Sequence, residues 1–198
     1  AMRVDDARIF GKSWRELVGA AVTAAPKWWQ SRRQELLDVA ATSTPTYVYS
    51  LDDVGQQAKR LTAITSVDRW HYALKANPHP DILRRLFSEG FAFECVSLAE
   101  VLHVLDSVPG LSANQVLFTP NFAPREEYRA AMRLGVNLTV DALHPVREWG
   151  DDFRGRELLL RVDLGQGRGH HEKVRTGGKE SKFGVSLDDL ASFRELAR

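Results

Sequence analysis

The stretch Trp70-His71-Tyr72-Ala73-Leu74-Lys75-Ala76-Asn77-Pro78 decides the fold. Its first five residues form a largely apolar run of strand length, and the Asn-Pro after it is a turn signal. Outward from it, similar short runs recur at Phe91 to Cys95, Gln115 to Phe118, Val136 to Val140 and Leu158 to Val162. Between them lie amphipathic segments at helical spacing, such as Ile82, Leu83, Leu86 and Phe87, or Leu98, Val101, Leu102 and Leu105. A strand about every 20 to 23 residues, each succeeded by a helix, predicts consecutive right-handed βαβ units and a parallel sheet. Periodicity alone leaves a closed barrel and an open doubly wound sheet both possible. No Gly-x-Gly-x-x-Gly comes after the first strand, so a dinucleotide fold gains nothing. Gly165-Gln166-Gly167-Arg168-Gly169 reads as a loop.

Upstream, Thr46-Tyr47-Val48-Tyr49 reads as an earlier strand, leading into a helix capped by Ser50. Residues 1–45 read as a helical arm, distinct in pattern from the rest of the chain. Ser13-Trp14-Arg15-Glu16 has the form of a capping box, and Pro26 can open a second helix carrying Trp28, Trp29, Leu36 and Leu37. An aromatic stripe at such spacing is packing surface, expected to dock on something. Downstream, a last helix is expected from Ser186.

The 198 residues are 43% hydrophobic and 27% charged, an ordinary composition for a soluble domain with one real core. With 27 basic against 26 acidic residues the net charge is +1, which gives no electrostatic footprint for nucleic acid or an anionic membrane. No run approaches the roughly 18 apolar residues a membrane span needs. The single cysteine, Cys95, lies in an apolar run; it excludes an internal disulfide framework and fits a reducing cytoplasm. A small buried hydrophobe is its better reading.

Lys75 leaves the C-terminal end of an apolar strand, where a (β/α) enzyme places its chemistry. Desolvation there would lower the lysine pKa, as a Schiff-base nucleophile requires. On spacing alone a solvated surface lysine remains the commoner reading.

Tyr72-Ala73-Leu74-Lys75-Ala76-Asn77 resembles the signature around the cofactor lysine of the fold-type III pyridoxal-phosphate decarboxylases. Gly90-Phe91-Ala92-Phe93-Glu94-Cys95-Val96-Ser97 with Glu100 resembles that family's second motif, in the same order and at a similar interval. Leu158-Leu159-Leu160-Arg161-Val162-Asp163, Gly169-His170-His171 and the run from Thr176-Gly177-Gly178 to Lys182-Phe183-Gly184 resemble its diaminopimelate branch. Phe118-Thr119-Pro120-Asn121-Phe122-Ala123-Pro124 is similar to a subgroup in which an aspartokinase precedes the decarboxylase.

The resemblance implies an α/β fold, a partial (β/α)8 TIM-like barrel akin to alanine racemase. About five βα units would occupy residues 46–198 behind the helical arm of residues 1–45. A closed barrel of this kind takes about 250 residues, so closure would need more chain. The family's phosphate-binding turn, its acidic partner for the pyridine nitrogen and its β-rich domain are expected after residue 198.

The implied activity is decarboxylation of meso-diaminopimelate to L-lysine, with pyridoxal 5'-phosphate as cofactor and Lys75 as the Schiff-base lysine. Arg161 is implied near the cofactor's phenolic oxygen, and Glu94 at the acidic position close to the lysine. On an otherwise apolar strand Glu94 needs a partner, with Lys75 or Arg161 expected. Ser97 and Glu100 also fit the cap and first turn of a helix. Adjacent His170 and His171 do not make a metal site without further ligands, so no metal is expected. A homodimer of the complete protein and a fused upstream aspartokinase are the implied partners. Three rival readings are another amino-acid decarboxylase on this scaffold, a non-catalytic interaction module whose surface is the Trp-rich arm, and a cofactor-free Schiff-base aldolase, which the second motif and the loop do not support.

Overall fold

The computed structural model describes residues 8–9, 12–13, 27–165 and 183–197. Its contacts divide the chain into two units, Ala1–Ser50 and Leu51–Arg198. In the first, β1 (Arg8–Ile9) pairs antiparallel with β2 (Lys12–Ser13), where the capping-box pattern predicted a helix start; Ser13 is spent in that pairing. The single helix expected behind Pro26 is interrupted at Arg32 and forms as α1 (Trp28–Ser31) and α2 (Arg33–Thr42). Neither buries a residue, and Trp29, Leu37 and Val39 are exposed. Trp14 and the rest of the capping box lie outside the described residues. The expected strand at residues 46–49 does not form: the backbone has no ladder partner among the described residues, and Tyr47 is 90% exposed. Its aromatic and β-branched residues favour a pleated surface, but propensity without a neighbouring strand builds no sheet.

The second unit opens with α3 (Leu51–Thr62) and continues as the predicted alternation. The strands are β3 (His71–Ala73), β4 (Ala92–Cys95), β5 (Val116–Phe118), β6 (Asn137–Val140) and β7 (Leu159–Leu160). They pair in chain order and all in parallel. Four helices connect them: α4 (Pro80–Ser88), α5 (Leu98–Ser107), α6 (Arg125–Leu134) and α7 (Leu143–Phe153). Sequential parallel order, with no crossover to the other edge, is the winding of a barrel rather than of a doubly wound sheet.

A further pairing was missed in the sequence. Past Arg161 the fifth strand continues as β8 (Val162–Asp163), which pairs in parallel with β9 (Val185–Ser186). Ser186 ends that strand and also caps the next turn, its Oγ accepting from Asp189 N at 3.3 Å. The helix read as starting at Ser186 therefore begins as a 3-10 turn and becomes α8 (Leu190–Leu196).

Register assigns the faces. One face of the sheet carries Phe93, Cys95, Val116, Phe118, Leu138 and Val140, each at most 3% exposed, against the helices. From the helix side come Leu83, Leu86, Val101, Val104, Tyr128, Ala131 and Val146. Burying a side chain of this size contributes about 1.5–3 kcal/mol, so this layer holds the unit together. Tyr128 is its hub, packed edge-on against Phe118 and Phe153 at 6.0 and 5.8 Å. Leu102, expected on the apolar stripe, is instead 51% exposed.

Candidate active site and family

The opposite face of the same strands is written in different residues. Because paired residues in a parallel ladder point the same way, the registers Ala73↔Glu94, Glu94↔Leu117 and Leu117↔Asn137 align one row. The same face carries His71 at the start of β3 and Thr139 inside β6 and, past the strand ends, Thr119 and Arg161. Polar and titratable side chains of the strands therefore share this face, with Glu94, Thr119 and Arg161 towards the C-terminal ends and His71 and Asn137 at the strand starts. Apolar residues hold the other.

Lys75 stands at the end of β3. The strand stops at Ala73, and Leu74–Ala76 turns as a 3-10 helix, so strand alternation does not carry through to Lys75. Leu74 is fully buried and anchors the turn, while Lys75 is exposed. The expected desolvation of Lys75 is thus not present among the described residues: the short strands leave the mouth of the sheet open. Three contacts hold the turn in place. Tyr72 Oη donates to Asn77 O at 3.4 Å, Asn77 Oδ1 accepts from His79 N at 3.0 Å, and His103 Nε2 meets Pro78 O at 2.7 Å. Asn77 is extended, as a residue before proline is pressed to be. Among the described residues Lys75 has no ion-pair partner.

Glu94 does find a partner, but neither of those expected. The Thr119 hydroxyl donates to its Oε1. The reason lies in the ladder: Leu117 is the residue opposite Glu94, so Thr119 projects from the next step of the same row, whereas the chain at Lys75 has already turned away. Half-buried His71 is held below the ordinary imidazole pKa, first by burial and then by Arg69, with Glu94 opposing.

Arg161 sits between β7 and β8. Its N–H donates to Val140 O at 2.9 Å and its carbonyl accepts from Val185 N at 2.8 Å. Its Nη1 donates to Asn121 Oδ1 at 3.3 Å, and its guanidinium lies 4.6 Å from the centroid of the Phe183 ring. Gly184, at φ +84, allows that approach: a Cβ there would stand 2.9 Å from Asp163 N and 3.1 Å from Arg161 O. Asp141, one step past β6, is 3% exposed, and its Oδ2 has no hydrogen-bond partner among the described residues. Burial raises its carboxyl above the usual range, against its own backbone N–H, Arg161 and His144.

Ser97 and Glu100 take the cap roles. Ser97 Oγ accepts from Glu100 N at 3.2 Å, and Glu100 Oε2 accepts from Val96 N at 2.7 Å. Cys95 is fully buried, its thiol pushed far up by burial, which makes it a core residue. His170 and His171 lie outside the described residues. Among the described residues no cluster could hold a metal ion, and no helix is long and apolar enough to cross a membrane. Sequence reasoning gave no role to Thr119, Asn121, Asp141 or Phe183. The first three carried the same signal as Lys75: a polar residue just past an apolar strand.

Residues 51–198 match the family model of the pyridoxal-dependent decarboxylases, pyridoxal binding domain. The chain belongs to this family. The match begins where the second structural unit begins. Diaminopimelate decarboxylase of Deinococcus radiodurans is 33% identical over 159 residues, covering 80% of this chain and 41% of the relative. That of Archaeoglobus fulgidus is 30% identical over 166 residues, covering 80% and 38%. The crystal structure of the Helicobacter pylori diaminopimelate decarboxylase complexed with L-lysine superposes with a TM-score of 0.70. At 24% identity, over 81% of this chain and 42% of that one, it shows the common fold. The chain spans about two fifths of the length of the curated relatives it matches. The partial barrel expected from the sequence is the fold of this family's cofactor domain.

Proposed function

We propose that this chain is the cofactor-holding part of a diaminopimelate decarboxylase, with Lys75 as the residue that binds pyridoxal 5'-phosphate. The observation that carries the reading is Lys75 itself. An exposed amine without an ion-pair partner among the described residues stands on a turn anchored by fully buried Leu74, directly after β3, whose Ala73 pairs with Glu94 on the face that also bears Arg161. An aldehyde needs such an unpaired amine, and an anionic cofactor is suited by a cation held near it. The residues present therefore fit the group.

Bound pyridoxal phosphate supplies an electron-withdrawing ring that accepts the electron pair left when a carboxylate departs as carbon dioxide. The residues of this chain provide attachment and orientation. Lys75, exposed on the turn after β3, would hold the cofactor by its side-chain amine. Arg161, aimed by Asn121 and Phe183, would offer a fixed positive charge to an anionic cofactor. Glu94 would place a negative charge on the same face, where burial lowers the His71 imidazole pKa and so disfavours a competing cation. Loss of one carboxylate from meso-diaminopimelate and return of a proton to the same carbon give L-lysine. Relatives that are diaminopimelate decarboxylases at 30–33% identity support that substrate, as does L-lysine in the Helicobacter pylori structure. A homodimer, a fused upstream aspartokinase, a cytoplasmic setting and a boundary near residue 45 belong to the same proposal.

The test uses a protein of the relatives' full length. Pyridoxal phosphate is added, the visible absorbance band recorded, borohydride applied and the peptides mapped. A reduced adduct at Lys75, absent in a folded Lys75→Ala variant that releases no carbon dioxide from meso-diaminopimelate, is the expected result. An adduct elsewhere, or normal turnover by Lys75→Ala, overturns the reading. Release from ornithine or arginine in place of diaminopimelate would overturn the substrate alone.

A further inference from the structure

We propose that Thr119-Pro120-Asn121, the turn leaving β5, is a two-point clamp that sets the spacing between the site's negative and positive charges. Thr119 fixes Glu94 of β4, and Asn121 fixes Arg161 between β7 and β8. This rests on the reading that Glu94 and Arg161 face the cofactor.

The contacts reach in opposite directions from one short turn. The Thr119 hydroxyl donates to Glu94 Oε1, on the strand before β5. Asn121 Oδ1 accepts from Arg161 Nη1 at 3.3 Å, across β6. Both are charge-assisted, the stronger kind of hydrogen bond.

The turn itself is held rigid. Thr119 N donates to Cys95 O at 2.8 Å, which extends the β4–β5 ladder by one step. Pro120 is among the fully buried residues. Phe122, two residues further along, holds φ at +55, in the left-handed region that a bulky residue rarely adopts. A clamp of this kind would fix the separation between Glu94, on a half-buried strand position, and Arg161, three strands away. Thr119 and Asn121 are positioning residues, acting through the groups they hold.

The experiment again uses a protein of the relatives' full length, with variants Thr119→Val, Thr119→Ser, Asn121→Ala and Asn121→Asp. Removing one partner of a charge-assisted bond should weaken cofactor binding roughly 10- to 100-fold, read by titrating apo-protein with pyridoxal phosphate. Thr119→Ser and Asn121→Asp, which keep an oxygen in place, should recover most of that loss. A second measurement needs no cofactor: exchange of the Arg161 guanidinium N–H protons by NMR in the apo-protein. It should quicken in Asn121→Ala and not in Asn121→Asp. Unchanged Arg161 exchange in Asn121→Ala overturns the clamp whatever the cofactor does. Wild-type cofactor affinity in Thr119→Val and Asn121→Ala overturns it as well. Absence of any cofactor at Lys75 in the wild type refutes the functional reading instead, and leaves the exchange measurement to decide the clamp.

Discussion

Asp141→Asn replaces a carboxylate that is 3% exposed and has one oxygen without a hydrogen-bond partner among the described residues. Burial raises its pKa although its own backbone N–H, Arg161 and His144 all pull the other way, so desolvation outweighs those attractions. The folded state therefore binds this proton more tightly than the unfolded chain. The stability tied to Asp141 is full below the unfolded value of about 3.9 and is lost as pH rises through the folded value. A neutral amide of the same shape escapes that loss. The variant should gain about 1–2 kcal/mol at pH 7, the excess of an under-bonded carboxylate over an amide in one place. The gain should fade towards pH 4. Urea unfolding of both proteins, at steps between pH 4 and pH 8, reads the difference directly. A loss of about 1 kcal/mol or more at pH 7 would refute the reasoning. It would mean that the carboxylate is held by Arg161 or by the N-terminal end of α7 more strongly than burial opposes it.

Tyr128→Phe tests the same layer: the ring is 1% exposed and its hydroxyl has no partner among the described residues. Removal should leave stability unchanged or raise it by about 1 kcal/mol in urea unfolding, since a buried unpaired hydroxyl only costs desolvation. A clear loss would reveal a bonded hydroxyl. Asp152 accepts two hydrogen bonds each from Arg125 and Arg129, at 2.6 to 3.1 Å, which hold its carboxyl far below the usual range. A depressed carboxyl stabilises above the unfolded value and loses that effect as pH falls through the folded one. Asp152→Asn should thus lower the urea midpoint at pH 7, and the deficit should shrink on acidification below about pH 4. A deficit that does not change with pH would assign it to packing.

The barrel strands were legible because each lies in a largely apolar run, and those of β4, β5 and β6 are mostly buried, a pattern that survives without knowledge of partners. Residues 46–49 had the right composition and failed, because no neighbouring strand among the described residues pairs with them. Val185–Ser186 went unread for the opposite reason: two residues make no pattern, and only the extension of the fifth strand past Arg161 gives them a place. At the proposed site, Lys75, Glu94 and Arg161 were singled out from their motifs. The partners of Glu94 and Arg161 were not, since Thr119 lies 25 residues from Glu94 and Asn121 lies 40 from Arg161. Register decides those pairings, and register is a property of two strands together.

Arg161 has a consequence for how this surface can change. Its backbone is stitched on both sides, to Val140 and to Val185, so the seam between the two short ladders does not depend on which side chain stands there. The chemistry at position 161 could be rewritten while the weave stays whole. Gly184 is the reverse. It bears no chemical group, yet any added carbon would press on the thread at Asp163 and Arg161 and lift Phe183 from the guanidinium. The position that looks blank is the one that cannot be edited.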